Sequence, residues 1–138
     1  MSALGKQIRL NRIFSDQSGR ILAVAADHMI NYPIGMPEGL RRIEETVQQI
    51  AEGRPSSITL NKGIAMRCLK AFAGRVPLIV QQMALTAGRP GYADHAQVEE
   101  VVAMGGDAIA VSILVKNEGE LANMKRLSDT VREAERFG

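Results

Sequence analysis

The sequence is poor in the residues that mark several specialised classes of protein. Among its 138 residues there are one Cys, no Trp, two Tyr and three Phe. The single Cys68 cannot form an internal disulfide, which fits a protein of the reducing cytoplasm. With so few aromatic side chains, the core must be built from Ala, Val, Ile, Leu and Met, as is common in parallel sheets covered by helices.

Neither the charged nor the apolar residues are gathered into long runs. Lys and Arg number 17 against 15 Asp and Glu, and the basic residues are scattered apart from the neighbours Arg41 and Arg42. This distribution lacks the basic stripe of a nucleic-acid-binding surface. No apolar stretch is long enough to cross a membrane, and the N-terminus does not resemble a signal peptide. We therefore expect a soluble cytoplasmic protein that binds neither nucleic acid nor membranes.

The usual motifs of cofactor and nucleophile sites are also absent. The sequence contains no G-x-G-x-x-G after its first predicted strand, no G-x-x-x-x-G-K-[ST] and no G-x-S-x-G. Dinucleotide sites, phosphate loops and serine nucleophile elbows of the usual kinds are therefore not expected. His28 and His95 are far apart in sequence, and no cluster of Cys and His suggests a zinc site. We expect no cofactor and no metal ion.

The sequence does contain a repeated alternation of apolar segments and helical patterns. A short continuous apolar run, as at 20–26, predicts a strand buried on both faces. Apolar residues at spacings of three and four, as at 40–50, predict a helix with one apolar face. The predicted strands are 20–26, 57–60, 76–81 and 108–113, and the predicted helices are 40–50, 64–72, 98–102 and 118–137. A short helix or cap is predicted for 4–14.

Four successive strand-then-helix units predict a parallel sheet with right-handed crossovers, in a single domain that covers 1–138. A small doubly wound sheet and one half of an eight-stranded (β/α)8 barrel share this pattern. The last predicted helix has no strand after it, which favours the half-barrel. We therefore predict an α/β fold, the N-terminal half of a (β/α)8 TIM barrel. The apolar stripe predicted for the last helix consists of Leu121, Met124, Leu127, Val131 and Ala134.

In both architectures the functional site lies at the carboxyl ends of the parallel strands. Asp27 and His28 follow the first predicted strand, where a carboxylate can transfer a proton or bind a substrate hydroxyl. Alternatively, Asp27 caps a turn and His28 packs beside it. Lys62 follows the second predicted strand. A lysine in an apolar pocket at the strand ends can form a Schiff base, but it can equally pair with a nearby carboxylate.

Four stretches of the chain occur in an order and at a spacing typical of one enzyme family. They are GKQIRLNRIF at 5–14 with SGR at 18–20, AADH at 25–28 with PIG at 33–35, LNKGI at 60–64, and VREAERFG at 131–138. With these stretches the chain resembles the class I, Schiff-base aldolases of the archaeal fructose-bisphosphate aldolase type. That group includes aminodideoxyheptulosonate synthase and a thiolase of quorum-signal breakdown.

The resemblance implies a barrel that cleaves or forms a carbon–carbon bond next to a ketone, usually on a phosphorylated sugar. In such enzymes a strand-six lysine forms the Schiff base, a strand-five tyrosine assists proton transfer, and loops after strands seven and eight bind the phosphate. The resemblance gives Asp27 the role of the strand-one Asp that assists at the reacting centre. Lys62 matches a different family lysine, on strand two, and we assign it and His28 to substrate binding. Asn61 stands where the family often has His, which leaves the substrate open.

Three interpretations of the function remain open from the sequence. The chain is an aldolase-family piece that is inactive by itself, since half a barrel leaves two sheet edges and an open core. Alternatively, two copies dimerise and rebuild an eight-stranded barrel without the family chemistry. In the third interpretation the chain is an independent α/β module that binds a small ligand. We expect the first, with a substrate resembling a sugar phosphate and assembly into a homo-oligomer.

Overall fold

A computed structural model describes residues 3–28, 35–85, 92–113, 115–116 and 118–138. The strands are β1 (Ala23–Ala25), β2 (Ser57–Asn61), β3 (Leu78–Gln81), β4 (Met83–Leu85), β5 (Tyr92–Asp94) and β6 (Ala108–Ala110). The helices are α1 (Ala3–Ile13), α2 (Glu38–Arg41), α3 (Ile43–Glu52), α4 (Lys62–Arg67), α5 (Leu69–Phe72), α6 (Val98–Ala103) and α7 (Glu120–Phe137). Strands β1, β2, β3 and β6 form a sheet in that order, and every neighbouring pair is parallel. The predicted parallel α/β fold is confirmed.

One face of this sheet is covered by helices and holds the core. Because side chains alternate along a strand, Ile58, Leu60 and Val80 all point to this face, and none of them is accessible to solvent. They belong to one buried cluster with Val47 of α3 and Phe72 of α5. Helix α3 and its neighbours therefore stabilise the sheet from one side, as the spacing of apolar residues predicts.

The opposite face of the sheet carries mostly small or polar side chains. Strand β2 presents Ser57, Thr59 and Asn61 there, and β3 presents Ile79 and Gln81 in the neighbouring register. The outer two strands add only alanines, which are Ala23, Ala25, Ala108 and Ala110. Barrel interiors are commonly filled by Val, Ile and Leu, and of these residue types the described strands place only Ile79 on this face.

The prediction for the first strand is wrong in its extent and its burial. Strand β1 has three residues, and Ala23 and Ala25 are exposed. Ile21 and Leu22, which were predicted to lie in the strand, precede it and are also exposed. The physical reason is position, because in the described part of the chain β1 is an edge strand that pairs only with β2. A continuous apolar run does not distinguish an edge strand from a central one.

The last helix, α7, buries a polar face, which contradicts the predicted apolar stripe. Leu121 and Val131 of that stripe are 86% and 50% exposed, whereas Asn123 and Thr130 are buried. Thr130 accepts a hydrogen bond of 3.0 Å from the side-chain amide of Gln82, directly after β3. Because polar groups at the strand ends need buried partners, the polar side of the helix packs inward. Of the predicted stripe, Leu121, Met124 and Val131 are exposed, whereas Leu127 and Ala134 are half-buried.

Two further differences concern the region after β3. Strands β4 and β5 pair antiparallel as a small separate ribbon, which the sequence pattern did not predict. The Gly- and Pro-containing sequence at 86–91 predicts a long loop, and these residues lie outside the described ranges. The sequence places His95 at the start of a helix and predicts a surface position for it. In the structure His95 precedes α6 and is half-buried, and its enclosed Nε2 has no hydrogen-bond partner among the described residues.

Candidate functional site

The carboxyl ends of the four parallel strands bring one polar side chain or backbone group from each strand into a row. The Asn61 side-chain amide donates a hydrogen bond of 2.9 Å to the backbone carbonyl of Asp27, beyond β1. Asn61 and Gln81 are register partners on β2 and β3. The Gln81 amide in turn donates a hydrogen bond of 2.9 Å to Ser112 Oγ, beyond β6. We call these four residues, Asp27, Asn61, Gln81 and Ser112, the mouth row.

Asp27 and His28 lie together at the β1 end of the mouth row. The Asp27 side chain is 15% exposed and its Oδ1 is 3.5 Å from His28 Nδ1, while the His28 ring is about half exposed. A carboxylate that is largely buried yet open to the mouth can accept a proton or bind a substrate hydroxyl. The imidazole beside it adds a group that can donate or accept a hydrogen bond.

Lys62 is the first residue of α4 and is paired with a carboxylate. Its Nζ lies 2.8 Å from Oε1 of Glu100 on α6. The hydrogen bond from Lys62 lowers the pKa of the Glu100 carboxyl, and a second one from the backbone of Gln97 lowers it further. The sequence left open whether this lysine is a nucleophile or one half of an ion pair, and the structure shows the ion pair.

Asn61 has a buried acceptor with no evident structural use. The residue is 6% exposed, and Oδ1 has no hydrogen-bond partner among the described residues. It occupies the N-cap position of α4, where an Asn oxygen usually accepts a backbone N–H, but no such bond forms. The bond from Nδ2 to the Asp27 carbonyl fixes which side of the amide carries the oxygen. A ligand hydroxyl is one group that would satisfy Oδ1.

Arg126 of α7 is a residue beside the mouth row that sequence reasoning missed. Its Nη2 donates hydrogen bonds of 2.9 Å to the Ser112 backbone carbonyl and to Met83 Sδ, and its Nη1 lies 3.7 Å from Asp94 Oδ1. One buried guanidinium thus holds the ribbon of β4 and β5 against the end of β6. The sequence does contain a sign of this role. Arg126 lies three residues after Asn123 and four before Thr130, so all three share the polar side of the helix.

A large cavity lies at the amino ends of the strands, away from the mouth row. It measures about 820 Å³ and is lined by residues at the amino ends of the strands, including Arg12, Arg54 and Arg75. In parallel α/β sheets ligands bind at the carboxyl ends, and the amino-end face serves stability. Size alone therefore does not make this cavity the candidate site.

Two further searches of the described residues give negative results. No group of three or more His, Cys, Asp or Glu side chains in those ranges is arranged to bind a metal ion. None of the helices in the described part of the chain is both long enough and apolar enough to cross a membrane.

Comparison with known proteins decides the family. The family model of the DeoC/LacD family aldolases matches residues 19–138 of the chain. The chain belongs to this family. The resemblance seen in the sequence to Schiff-base aldolases is therefore confirmed, and Asp27, Asn61 and Lys62 all fall within the matched region.

Two relatives of the chain are longer proteins, and the chain matches only part of each. It is 27% identical to a 2-amino-4,5-dihydroxy-6-oxo-7-(phosphonooxy)heptanoate synthase of Streptomyces griseus, over 96% of this chain and 48% of the relative. It is 25% identical to a 3-hydroxy-5-phosphonooxypentane-2,4-dione thiolase of Yersinia pseudotuberculosis, over 97% of this chain and 46% of the relative. The chain spans about half the length of these curated relatives.

A solved structure also matches the chain over about half of its own length. An archaeal fructose-1,6-bisphosphate aldolase, with its catalytic Lys covalently bound to the carbinolamine intermediate of the substrate, superposes with a TM-score of 0.77. The two sequences are 25% identical, and the match covers 96% of this chain and 53% of the aldolase. The predicted half-barrel architecture is confirmed by this match.

Proposed function

We propose that the mouth row binds a phosphorylated keto sugar and that the chain supplies half of a Schiff-base aldolase barrel. In the complete barrel, the reaction cleaves or forms a carbon–carbon bond next to the ketone. The observation that carries this proposal is the continuous row of Asp27, Asn61, Gln81 and Ser112 across all four strand ends. The names of the relatives support it, because both describe phosphonooxy compounds that carry a keto or oxo group.

The roles of the individual side chains follow from their chemistry. In aldol cleavage through an imine, a base removes the proton of the hydroxyl next to the breaking bond, and the electron pair of that bond moves toward the imine. Asp27 has the largely buried carboxylate that can accept this proton or position this hydroxyl. His28 and Lys62 bind substrate at the rim of the mouth. Lys62 forms no imine, since its ammonium is engaged by Glu100 and an attacking amine must be neutral.

Titration of the chain with dihydroxyacetone phosphate tests the binding site. We expect saturable shifts of the backbone amide signals of Asp27, His28, Asn61 and Lys62 in two-dimensional NMR spectra. The signal of Gly74, which lines the cavity at the amino ends, serves as the internal control and should not move. Shifts confined to the amino-end cavity, or no saturable shift at all, would reject the mouth row as the binding site.

Borohydride trapping tests the assignment of Lys62. A chain incubated with dihydroxyacetone phosphate and sodium borohydride should carry no reduced adduct on Lys62 in peptide mass spectra. The expected reason is the 2.8 Å pair with Glu100. Glu100→Gln removes the charge of the partner, and any trapping that appears only in this variant shows that the pair suppresses the reaction. A stable adduct on Lys62 of the unaltered chain contradicts the assignment.

We also propose that residues 1–138 form one domain, that the chain works in the cytoplasm, and that it assembles with copies of itself. The lone Cys68 is buried and unbridged, which suits a reducing compartment. Assembly is supported by the large apolar residues exposed along α7, which are Leu121, Met124 and Val131.

A further inference from the structure

The two amide side chains of the mouth row are held in one orientation by the groups to which they donate. Asn61 Nδ2 donates a hydrogen bond of 2.9 Å to the Asp27 backbone carbonyl. Gln81 Nε2 donates to Ser112 Oγ at 2.9 Å and to the Met83 backbone carbonyl at 3.4 Å. Because an amide nitrogen carries two hydrogens and the oxygen carries none, these bonds fix which atom of each amide is the acceptor.

The oxygens of both amides lack a hydrogen-bond donor in the described part of the chain. Asn61 Oδ1 is enclosed and has no partner there. Gln81 Oε1 accepts no hydrogen bond from the described residues, and it does not belong to the fully enclosed atoms. Gln81 as a whole is only 4% exposed. Since buried polar oxygens are normally paired with a donor, the group that the row needs is a donor.

The charges around the row are unfavourable for an anion. Asp27 contributes a carboxylate, and the ammonium of Lys62 is offset by Glu100 at 2.8 Å. The donors left over in the described row are the second amide hydrogen of Asn61 and the hydroxyl of Ser112, and both are neutral. Phosphate groups are usually bound by cationic side chains or by several backbone N–H groups. The row therefore offers a phosphate few partners and a carboxylate that repels it.

We propose that Asn61 and Gln81 select the hydroxyl-bearing end of the substrate and exclude its phosphate. Gln81 is the specificity-determining residue, because its oxygen is the one that a ligand can reach directly. A hydroxyl donates to such an oxygen, whereas a phosphate dianion and a ketone have no hydrogen to donate. This inference rests on the proposed function for the keto sugar and names the part of that substrate that lies against this half of the barrel.

The arrangement of the two amides favours a substrate with more than one hydroxyl. Asn61 and Gln81 are register partners on neighbouring parallel strands, and such strands lie about 4.8 Å apart. Hydroxyls on different carbons of one sugar can therefore reach the two oxygens. A polyol that has neither ketone nor phosphate, such as xylitol, should bind at the same place.

Two keto phosphates that differ in one hydroxyl test the inference. Titrations with dihydroxyacetone phosphate and with hydroxyacetone phosphate, which lacks the free hydroxyl, are followed at the backbone amide signals of Asn61 and Gln81 in two-dimensional NMR spectra. We expect hydroxyacetone phosphate to bind about fivefold to tenfold more weakly, the usual effect of one neutral hydrogen bond. Inorganic phosphate should leave both signals unchanged, and a saturable shift of Gln81 with phosphate alone overturns the inference.

Variants of Gln81 show whether its amide oxygen is responsible. Gln81→Met has a similar shape without the oxygen and should bring the ratio of the two affinities close to one. Gln81→Glu keeps an acceptor there, so the ratio should remain although the added charge weakens both compounds. Thr59→Val removes a hydroxyl on the same face of β2, two residues before Asn61, and should keep both affinities.

The outcomes separate this inference from the proposed function. Equal binding of the two keto phosphates at the mouth row, or an unchanged ratio in Gln81→Met, overturns the inference and leaves the proposed function standing. Circular dichroism checks folding, and if Gln81→Met does not fold, loss of the ratio in a folded Gln81→Glu also overturns it. Binding of xylitol without binding of dihydroxyacetone phosphate supports the inference and rejects the proposed function. If neither compound shifts the signals of the mouth row, both are rejected.

Discussion

Replacing Phe72 by Ala should lower the free energy of unfolding by about 3–5 kcal/mol, the usual cost of deleting a buried aromatic ring. Phe72 of α5 is 2% exposed and belongs to the same buried cluster as Ile58 and Val80 of the sheet. No other aromatic residue belongs to the described core cluster, so the variant loses the only aromatic ring of that cluster. A loss of this size is a large part of the stability of a domain. Urea denaturation followed by circular dichroism measures it.

Phe14→Ala is the matched control for this prediction. Phe14 is 49% exposed at the end of α1, so its removal should cost well under half as much. Both variants are compared at one protein concentration, because the stability of an oligomer depends on concentration. Equal losses for the two variants would show that the core does not lie on the helix-covered face around Phe72.

Replacing Asn61 by Leu should weaken the binding of dihydroxyacetone phosphate about tenfold, which corresponds to about 1.4 kcal/mol. The change removes two things at once. The bond of 2.9 Å that positions the Asp27 backbone is lost, and so is the buried Oδ1 that has no partner among the described residues. Titration calorimetry measures the affinity. We expect the free energy of unfolding to change by less than the binding free energy. A buried acceptor without a partner costs the folded chain about 1–3 kcal/mol, and the substitution removes this cost together with the acceptor.

Ser57→Ala provides a control that is matched in burial and position. Ser57 lies on the same face of β2 as Asn61, at the opposite end of the strand, and its buried Oγ also lacks a hydrogen-bond partner among the described residues. This variant should bind dihydroxyacetone phosphate as the unaltered chain does. Undiminished binding by Asn61→Leu, or an equal loss in both variants, would remove Asn61 from the site.

Local patterns in the sequence predicted much of the fold because they report local geometry. The spacing of Leu40, Ile43 and Val47 predicted one helix whose apolar side is buried, and these three residues are buried. The single helix was wrong, because the chain breaks at Arg42 and places Leu40 on α2 and the other two on α3. The same reasoning failed for α7, where the period was right and the buried side was wrong. Periodicity shows that a helix has two sides, but the neighbouring strands decide which side is covered.

The candidate site could be predicted only in part from the sequence, because local patterns do not report contacts between distant residues. Asp27, His28 and Lys62 follow strands directly, so the rule that sites lie at the carboxyl ends of strands finds them without further information. The partner of Lys62 was not predictable, because Glu100 is 38 residues away and on another helix. Asn61 was noticed by position and given no role, since its significance depends on what its two amide atoms contact.

The sequence by itself determined the alternation of strands and helices, the lack of any possible internal disulfide and the likeness to Schiff-base aldolases. These properties depend on residue type and on spacing over a few residues. The tertiary structure alone decided that β1 is an exposed edge, that α7 buries Asn123 and Thr130, and that Asn61 and Gln81 link the strand ends into one row. Strand order, register and helix packing join residues that are distant in the chain, and no local pattern encodes those distances.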